Sequence, residues 1–335
     1  MRRIFTALAA LALALATAAG MKNADALAAN CRCVSLRWRQ PLDTETTRAA
    51  LEEQPWLTFW CEETATLAAN WRQAEATVLY YQGDASLVLG ADCLSGSLPG
   101  VLDAGGCAVS AALAWQLFGS EEAVGLTLSL GDTAYTVRGV FGGEEAVALL
   151  PRPDAPFTAA ELPAEEQTTQ DPAGWADARL AESGLPAPDW RLYTTLPAAL
   201  ARLLAFLPLG FGGAVLAAAL ARRAAGLAFP ARDALVFALL AAAALALPAF
   251  LAAWPGWLIP SRWSDFSWWG QTARQLGEMA RAFLTAPAQG RDLAVKTAFA
   301  AQWALAALQA ILCEALRCRA RAGAGPAAGG AFPGP

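Results

Sequence analysis

Four apolar runs constrain this chain more than any other feature. Leu203–Leu220, Ala234–Trp254 and, with its flanks, Ala298–Leu312 approach or exceed the roughly 20 residues needed to cross a hydrocarbon core. An Ala/Leu run from Ile4 to Ala19 follows Met1-Arg2-Arg3. The bulk composition agrees: 56% apolar and 16% charged residues, with mean hydropathy +0.36, is richer in apolar side chains than ordinary soluble proteins. The fold class expected is an integral membrane α-helical protein with four transmembrane helices, carrying an extracytoplasmic α+β domain between the first and the second.

The N-terminal run on its own supports two readings. It is a secretory signal peptide with Ala16-x-Ala18 as the cleavage site, or a retained helix over residues 1–22. The other three helices are expected at 203–220, 234–254 and 296–316, within a membrane region 196–317. Arg222, Arg223 and Arg232 lie between the second and third helices, and Arg317, Arg319 and Arg321 follow the last. By the positive-inside rule these places are cytoplasmic, with Arg2 and Arg3 on the same side. The chain is thus expected to be a multi-pass inner-membrane protein with both termini in the cytoplasm. The outer loop 255–293 carries arginines too, mixed with Asp265, Glu278 and Asp292.

Composition also removes several functions. The chain has no histidine, which excludes Ser-His-Asp triads, His-ligated zinc and His proton shuttles. No GxxxxGK[ST] phosphate loop occurs, so the chain does not hydrolyse ATP by that mechanism. A net charge of −5 offers no case for nucleic acid. Scattered acidic pairs do not make an acid/base constellation, and the chain is expected to be no enzyme, with no cofactor and no metal.

Seven cysteines are present, five of them (Cys31, Cys33, Cys61, Cys93, Cys107) in the outer region. Cys93 and Cys107 flank one loop and are the first pair to consider for a disulfide, with unpaired small apolar residues as the alternative. Cys31-x-Cys33 is too short for a CxxC motif.

Along residues 30–153 the pattern is globular. Thr44–Gln54 reads as a surface helix, and Trp56–Trp60, Thr77–Tyr81, Ser86–Leu89, Cys107–Ser110 and Ala146–Leu150 read as short strands. Residues 154–195 are rich in proline and acid and read as a tether. Inside the membrane, Gly210-x-x-x-Ala214 is a small-residue face, and Gln302 and Gln309 are the polar positions. Trp254, Trp257, Trp263, Trp268 and Trp269 read as an interfacial aromatic belt. Gln271–Thr285 follows as an amphipathic helix on the outer surface, with Leu276, Met279, Ala280 and Phe283 on its apolar face. Residues 318–335 read as a disordered cytoplasmic tail.

The stretch Val109–Phe141 is the most informative in the outer region: a short helix with Ala111, Ala114, Leu117 and Phe118, a stop at Gly119, and two apolar runs about Gly131-Asp132 that read as a hairpin. Ala108-Val109-Ser110, the helix end Ala114–Gly119, Val124-Gly125, Leu126–Leu130 and Tyr135-Thr136-Val137-Arg138-Gly139-Val140 occur in an order and spacing that resembles the periplasmic core domain of MacB/FtsX-type ABC transporter permeases. The resemblance implies a divergent, shortened permease that retains its first helix. It further implies a separate ATPase docking on a basic coupling loop, here Arg222, Arg223, Gly226, Arg232 and Asp233, and a second permease subunit in the bilayer. The function implied is that of a permease subunit of an ABC exporter or mechanotransmission complex. The alternative is a membrane-tethered binding or scaffold protein of permease-like architecture without ATPase coupling.

Overall fold

The structure is a computed structural model that describes residues 2–90, 92–164, 171–224, 226–252, 256–258 and 266–323. In chain order it begins with α1 (Arg2–Asn30), β1 (Cys33–Arg37), α2 (Thr44–Glu53), β2 (Thr58–Ala69), β3 (Arg72–Gln82), α3 (Ala85–Leu89), β4 (Cys93–Gly96), β5 (Gly106–Ser110) and α4 (Ala111–Phe118). Then come β6 (Thr127–Leu130), β7 (Thr133–Phe141), β8 (Val147–Pro151), β9 (Ala159–Pro163), α5 (Pro172–Ser183) and β10 (Trp190–Tyr193). The last helices are α6 (Thr195–Ala224), α7 (Ala231–Ala252), α8 (Phe266–Thr285) and α9 (Asp292–Gly323). Two compact units result: a helical one from Met1–Leu27, Pro197–Pro255 and Thr297–Pro335, and a β-rich one from Ala28–Leu196 and Gly256–Lys296.

Among the described residues four helices are long and apolar enough to cross a membrane: Ile4–Asn30, Thr195–Arg222, Ala231–Pro248 and Asp292–Arg319. The first, second and last extend past the expected segments because Ala-rich flanks carry helical propensity beyond the apolar run, whereas α7 begins earlier than expected, at Ala231, and is described as far as Ala252. The first continues from residue 22 to Asn30, and the last runs through 318–323, which the sequence reading had as disordered tail; the rest of that tail lies outside the described residues.

Within the helical unit α1 and α9 run antiparallel. Phe5 stacks under the Arg319 guanidinium at one end, Gln309 Nε2 donates to Ala16 O at 3.3 Å in the middle, and Asn23 Nδ2 donates to Gln302 Oε1 and Ala298 O, both at 2.9 Å, at the other. Gln302 and Gln309 are fully buried. They are the polar positions flagged in the sequence, and they serve as interhelical glue. Helix α6 packs on the same α9 face, where Gly212 lies against Cys313. The Gly210-x-x-x-Ala214 face is exposed.

The β-rich unit is built on a ten-stranded sheet ordered β10-β1-β9-β2-β3-β8-β5-β7-β4, with β6 bridging β2 and β7. The Ala68↔Ser129 pairing returns β6 to β2, so β2, β3, β8, β5, β7 and β6 close a ring from which β9, β1 and β10 extend. Its apolar core gathers Trp60, Leu79, Tyr81, Val88, Phe141 and Leu149.

Val109–Phe141 forms as expected. Ser110 Oγ caps α4 by accepting from Leu113 N at 3.2 Å, Gly119 ends it at φ 75°, and Gly131 opens the β6–β7 turn at φ 58°. Elsewhere local chemistry overrode the expectation. Ser86–Leu89 is not a strand but part of α3, because Asp84 Oδ1 accepts from Ser86 N at 2.9 Å and nucleates a turn. Of the expected strand Trp56–Trp60 only Thr58–Trp60 belongs to β2, and Thr77–Tyr81 is part of β3; both are fragments of the long hairpin β2–β3, in register from Phe59↔Gln82 to Ala69↔Arg72.

Residues 154–195 depart furthest from the expectation. In its described parts the stretch forms regular elements: β9 sits inside the sheet between β1 and β2, β10 pairs with β1, and α5 lies between them in the chain. Two of the prolines in this stretch stand at element ends, Pro163 closing β9 and Pro172 opening α5, where a missing N–H is tolerated.

Candidate functional site

Strand β1 alternates side chains between two faces, Val34 and Leu36 on one, Cys33, Ser35 and Arg37 on the other, and all five are buried. The register sets Glu161 of β9 opposite Ser35 on one side and opposite Thr58 of β2 on the other, so its carboxylate emerges among the polar side chains of β1 and beside Trp60. Ser35 Oγ donates to Glu161 Oε1 at 2.6 Å and Trp60 Nε1 donates to the same oxygen at 2.8 Å. The Cys33 thiol donates to Oε2 at 2.8 Å. Glu161 has no exposed surface.

A carboxylate so buried requires compensation, and two arginines supply it. Arg291 Nη2 lies 3.1 Å from Oε2, and Arg37 Nη2 lies 3.6 Å from Oε1. Arg37 in turn donates to both Asp292 oxygens at 3.3 Å and rests 4.2 Å from the Trp60 ring centroid. Arg291 also contacts the Cys33 sulfur and donates to Asn30 O at 3.3 Å. Two cations and two anions thus balance in one closed cluster.

The loop that brings Arg291 and Asp292 to the sheet has one special position. Gly290 adopts φ +52°, and a Cβ there would stand 3.1 Å from Trp60. Its N–H donates to Glu62 Oε2 at 2.6 Å, and Gln289 N donates to Asp292 Oδ2 at 3.2 Å, which pins the loop by its backbone.

Burial alone would raise the Glu161 carboxyl, but Arg291 and Arg37, helped by Cys33 and Ser35, more than offset it and hold the group below the ordinary carboxylate value. Burial pushes the Cys33 thiol far above its ordinary value against the pull of Arg291, so it remains a donor. Being closed to solvent, the cluster cannot receive a substrate. It can hold chain segments in register, and it joins the strand that follows α1 to the residues that begin α9.

The sequence-predicted positions fall elsewhere. Arg222 is exposed near the end of α6, Gly226 is exposed in the connection 225–230, and Arg232 Nε pairs with Asp233 Oδ1 at 3.1 Å at the start of α7. The Arg223 side chain lies outside the described residues. Cys93 and Cys107 are not joined: Cys93 pairs with Phe141 on one edge of β7, Cys107 with Val137 on the other, and both are free. Two strands flanking a third stand ~10 Å apart, beyond the reach of a disulfide. Burial raises the Cys107 thiol to about 12.

Of the aromatic belt, Trp268 and Trp269 open α8 with ring centroids 4.9 Å apart, edge to face. Trp254, Trp263 and the Trp257 side chain lie outside the described residues. The apolar face expected for α8 is divided, because Met279 is buried where the helix packs on β10 while Ala280 is exposed. Among the described residues no group of three or more Cys, Asp or Glu is arranged to hold a metal ion.

Sequence reasoning missed the Glu161 cluster. The one local signal was the polar alternation Cys33-x-Ser35-x-Arg37; its partners lie 126 and 255 residues away in chain order, from Ser35 to Glu161 and from Arg37 to Asp292.

Among the described residues, four helices long and apolar enough to cross a membrane stand beside a β-rich unit. No protein-family model matches the chain, and no curated protein matches it. Among solved structures it is similar to the periplasmic region of MacB from Actinobacillus actinomycetemcomitans, at 12% identity and TM-score 0.40, covering 50% of this chain and 90% of that one. It is similar to the extracellular domain of the noncanonic ABC-type transporter YknZ from Gram-positive bacteria, at 12% identity and TM-score 0.34, covering 46% and 97%. A domain of a putative permease protein from Porphyromonas gingivalis is similar at 17% identity and TM-score 0.32, covering 45% and 84%.

Proposed function

We propose that this chain is a permease subunit of an ABC-type exporter or mechanotransmission complex, in which a separate ATPase docks on residues 221–233 and its cycle is passed to an outer domain. The reading places the β-rich unit outside the cell membrane, both termini in the cytoplasm and a second permease subunit alongside. The chain itself carries no catalysis and no cofactor. The observation that carries the reading is the Glu161 cluster. The cluster ties β1, which follows α1 in the chain, and Arg291-Asp292, where α9 begins, to Glu161 of β9, so on this reading a movement of either helix would be passed to β9. The residue likeness of Val109–Phe141 and the order of one span, a large domain and three spans support the same reading.

The short connection between α6 and α7, residues 225–230, favours a second reading, a membrane-tethered scaffold that has kept the architecture without energy coupling. Affinity capture of the full chain from native membranes separates the two. Coupling predicts a co-purifying P-loop ATPase that is lost on Arg222→Glu/Arg223→Glu; an intact, folded chain that captures none supports the scaffold.

A further inference from the structure

Helix α8 carries two apolar surfaces. One, centred on Met279 and Thr272, is buried where the helix packs on β10. The other is the stripe Phe266, Trp269, Ala273, Gly277, Ala280 and Leu284, spaced by three and four residues and so aligned along one side of the helix. It is open: Phe266 is 84% and Leu284 75% exposed. Arg274 and Arg281 stand on the arc beside this stripe, and neither forms a salt bridge among the described residues.

The far end of α8 is fixed to the first turns of a candidate membrane span. Lys296 Nζ donates to Ala286 O at 3.0 Å and lies 5.7 Å from the Phe283 ring, and Lys296 belongs to α9, whose apolar span begins at Asp292. A helix whose end is tied to the first turns of α9, apolar on one side with arginines along the edge of that side, matches the bilayer interface in both polarity and charge.

We propose that the Phe266–Leu284 stripe is a lipid-contacting surface: α8 rests in the headgroup region with this stripe toward the acyl chains, Arg274 and Arg281 toward lipid phosphates, and Met279 locked on β10. This goes beyond the permease reading and does not depend on an ATPase.

The test uses the full chain with Cys318→Ser, reconstituted in vesicles of phosphatidylethanolamine and phosphatidylglycerol. Spin labels are placed at Ala273→Cys, Ala280→Cys and, as a control on the polar arc, Glu278→Cys. Labels at 273 and 280 are expected to collide with oxygen more than with a water-soluble nickel chelate, and the order is expected to reverse at 278. Nickel access at 273 and 280 equal to that at 278 would place the stripe in water and overturn the proposal. Exclusion of both reagents at 273 and 280 would mean a second copy or a partner protein covers the stripe, and would overturn it equally. Brominated lipids give a second reading without labels: Trp269→Phe is expected to lower the quenched fraction of tryptophan fluorescence, and an unchanged fraction contradicts the assignment.

Discussion

Arg291 Nη2 stands 3.1 Å from Glu161 Oε2 although 130 residues of chain separate them. The pair closes a buried circuit in which β1, β9 and the start of α9 share one carboxylate. Breaking a buried pair by removing one partner leaves an uncompensated charge and costs about 3–5 kcal/mol. Glu161→Gln and Arg291→Gln are therefore each expected to lower the stability of the β-rich unit by about that much, and the double variant by clearly less than the sum. Denaturant titration of the full chain in detergent, followed by tryptophan fluorescence, measures both effects. Additive losses would mean that the two residues do not act on each other.

The same carboxylate predicts an acid limit. Its folded-state pKa lies below the ordinary value of 4.5, so its contribution to stability is fully present above 4.5 and is lost as pH falls through the lower folded value. The Glu161 contribution to the unfolding midpoint should be constant from neutral pH down to about 4.5 and decline below it, and Glu161→Gln should remove that part of the acid dependence. An unchanged acid slope in that variant would assign the transition to other carboxyls.

Much of this was legible in the sequence, and what was not has a common cause. Val109–Phe141 could be read because its signals are local: Ser110 caps, Gly119 terminates and Gly131-Asp132 turns within a few residues of what they control. The four apolar helices could be read because span length is local too. The cluster could not, because Glu161 sits in a stretch whose prolines and acids mimic a linker, and its meaning comes only from pairing with β1 and β2. Arg291 and Asp292 were likewise read as loop charges; their neutralisation by Glu161 and Arg37 is a tertiary fact. The failure at Ser86–Leu89 is smaller, a capping signal outweighed by the β-propensity of its neighbours.

Cysteine reactivity checks the strand order. Cys31, Cys33, Cys61 and Cys107 are buried and Cys318 is exposed. Burial lifts the Cys31 thiol to about 11 and the Cys61 thiol to about 12. Maleimide labelling of the folded chain is expected to modify Cys318 first and to leave these four untouched until denaturant is added. The intact mass should not change on reduction. A mass gain on reduction that maps to Cys93 and Cys107 would mean that β4 and β5 do not flank β7.

The contacts of α1 with α9 predict its fate. Asn23 donates to Gln302 and Gln309 donates to the Ala16 carbonyl within the helical unit, so α1 is expected in the mature protein. Asn23→Ala is expected to weaken the helix pairing by about 1 kcal/mol. Mass spectrometry of the purified chain should recover peptides preceding Ala18. A mature chain that begins just after Ala18 would contradict the arrangement.

Transmission from a separate ATPase to the sheet through α1 and α9 is the central step of the proposed function, and hydrogen exchange of the chain together with any ATPase it captures tests it directly. Amide exchange in β1 and β9 is to be compared between the nucleotide-free and vanadate-trapped states. The account predicts a change confined to the strands around Glu161 and abolished in Glu161→Gln. Identical exchange in both states, with the ATPase bound and turning over, would contradict it.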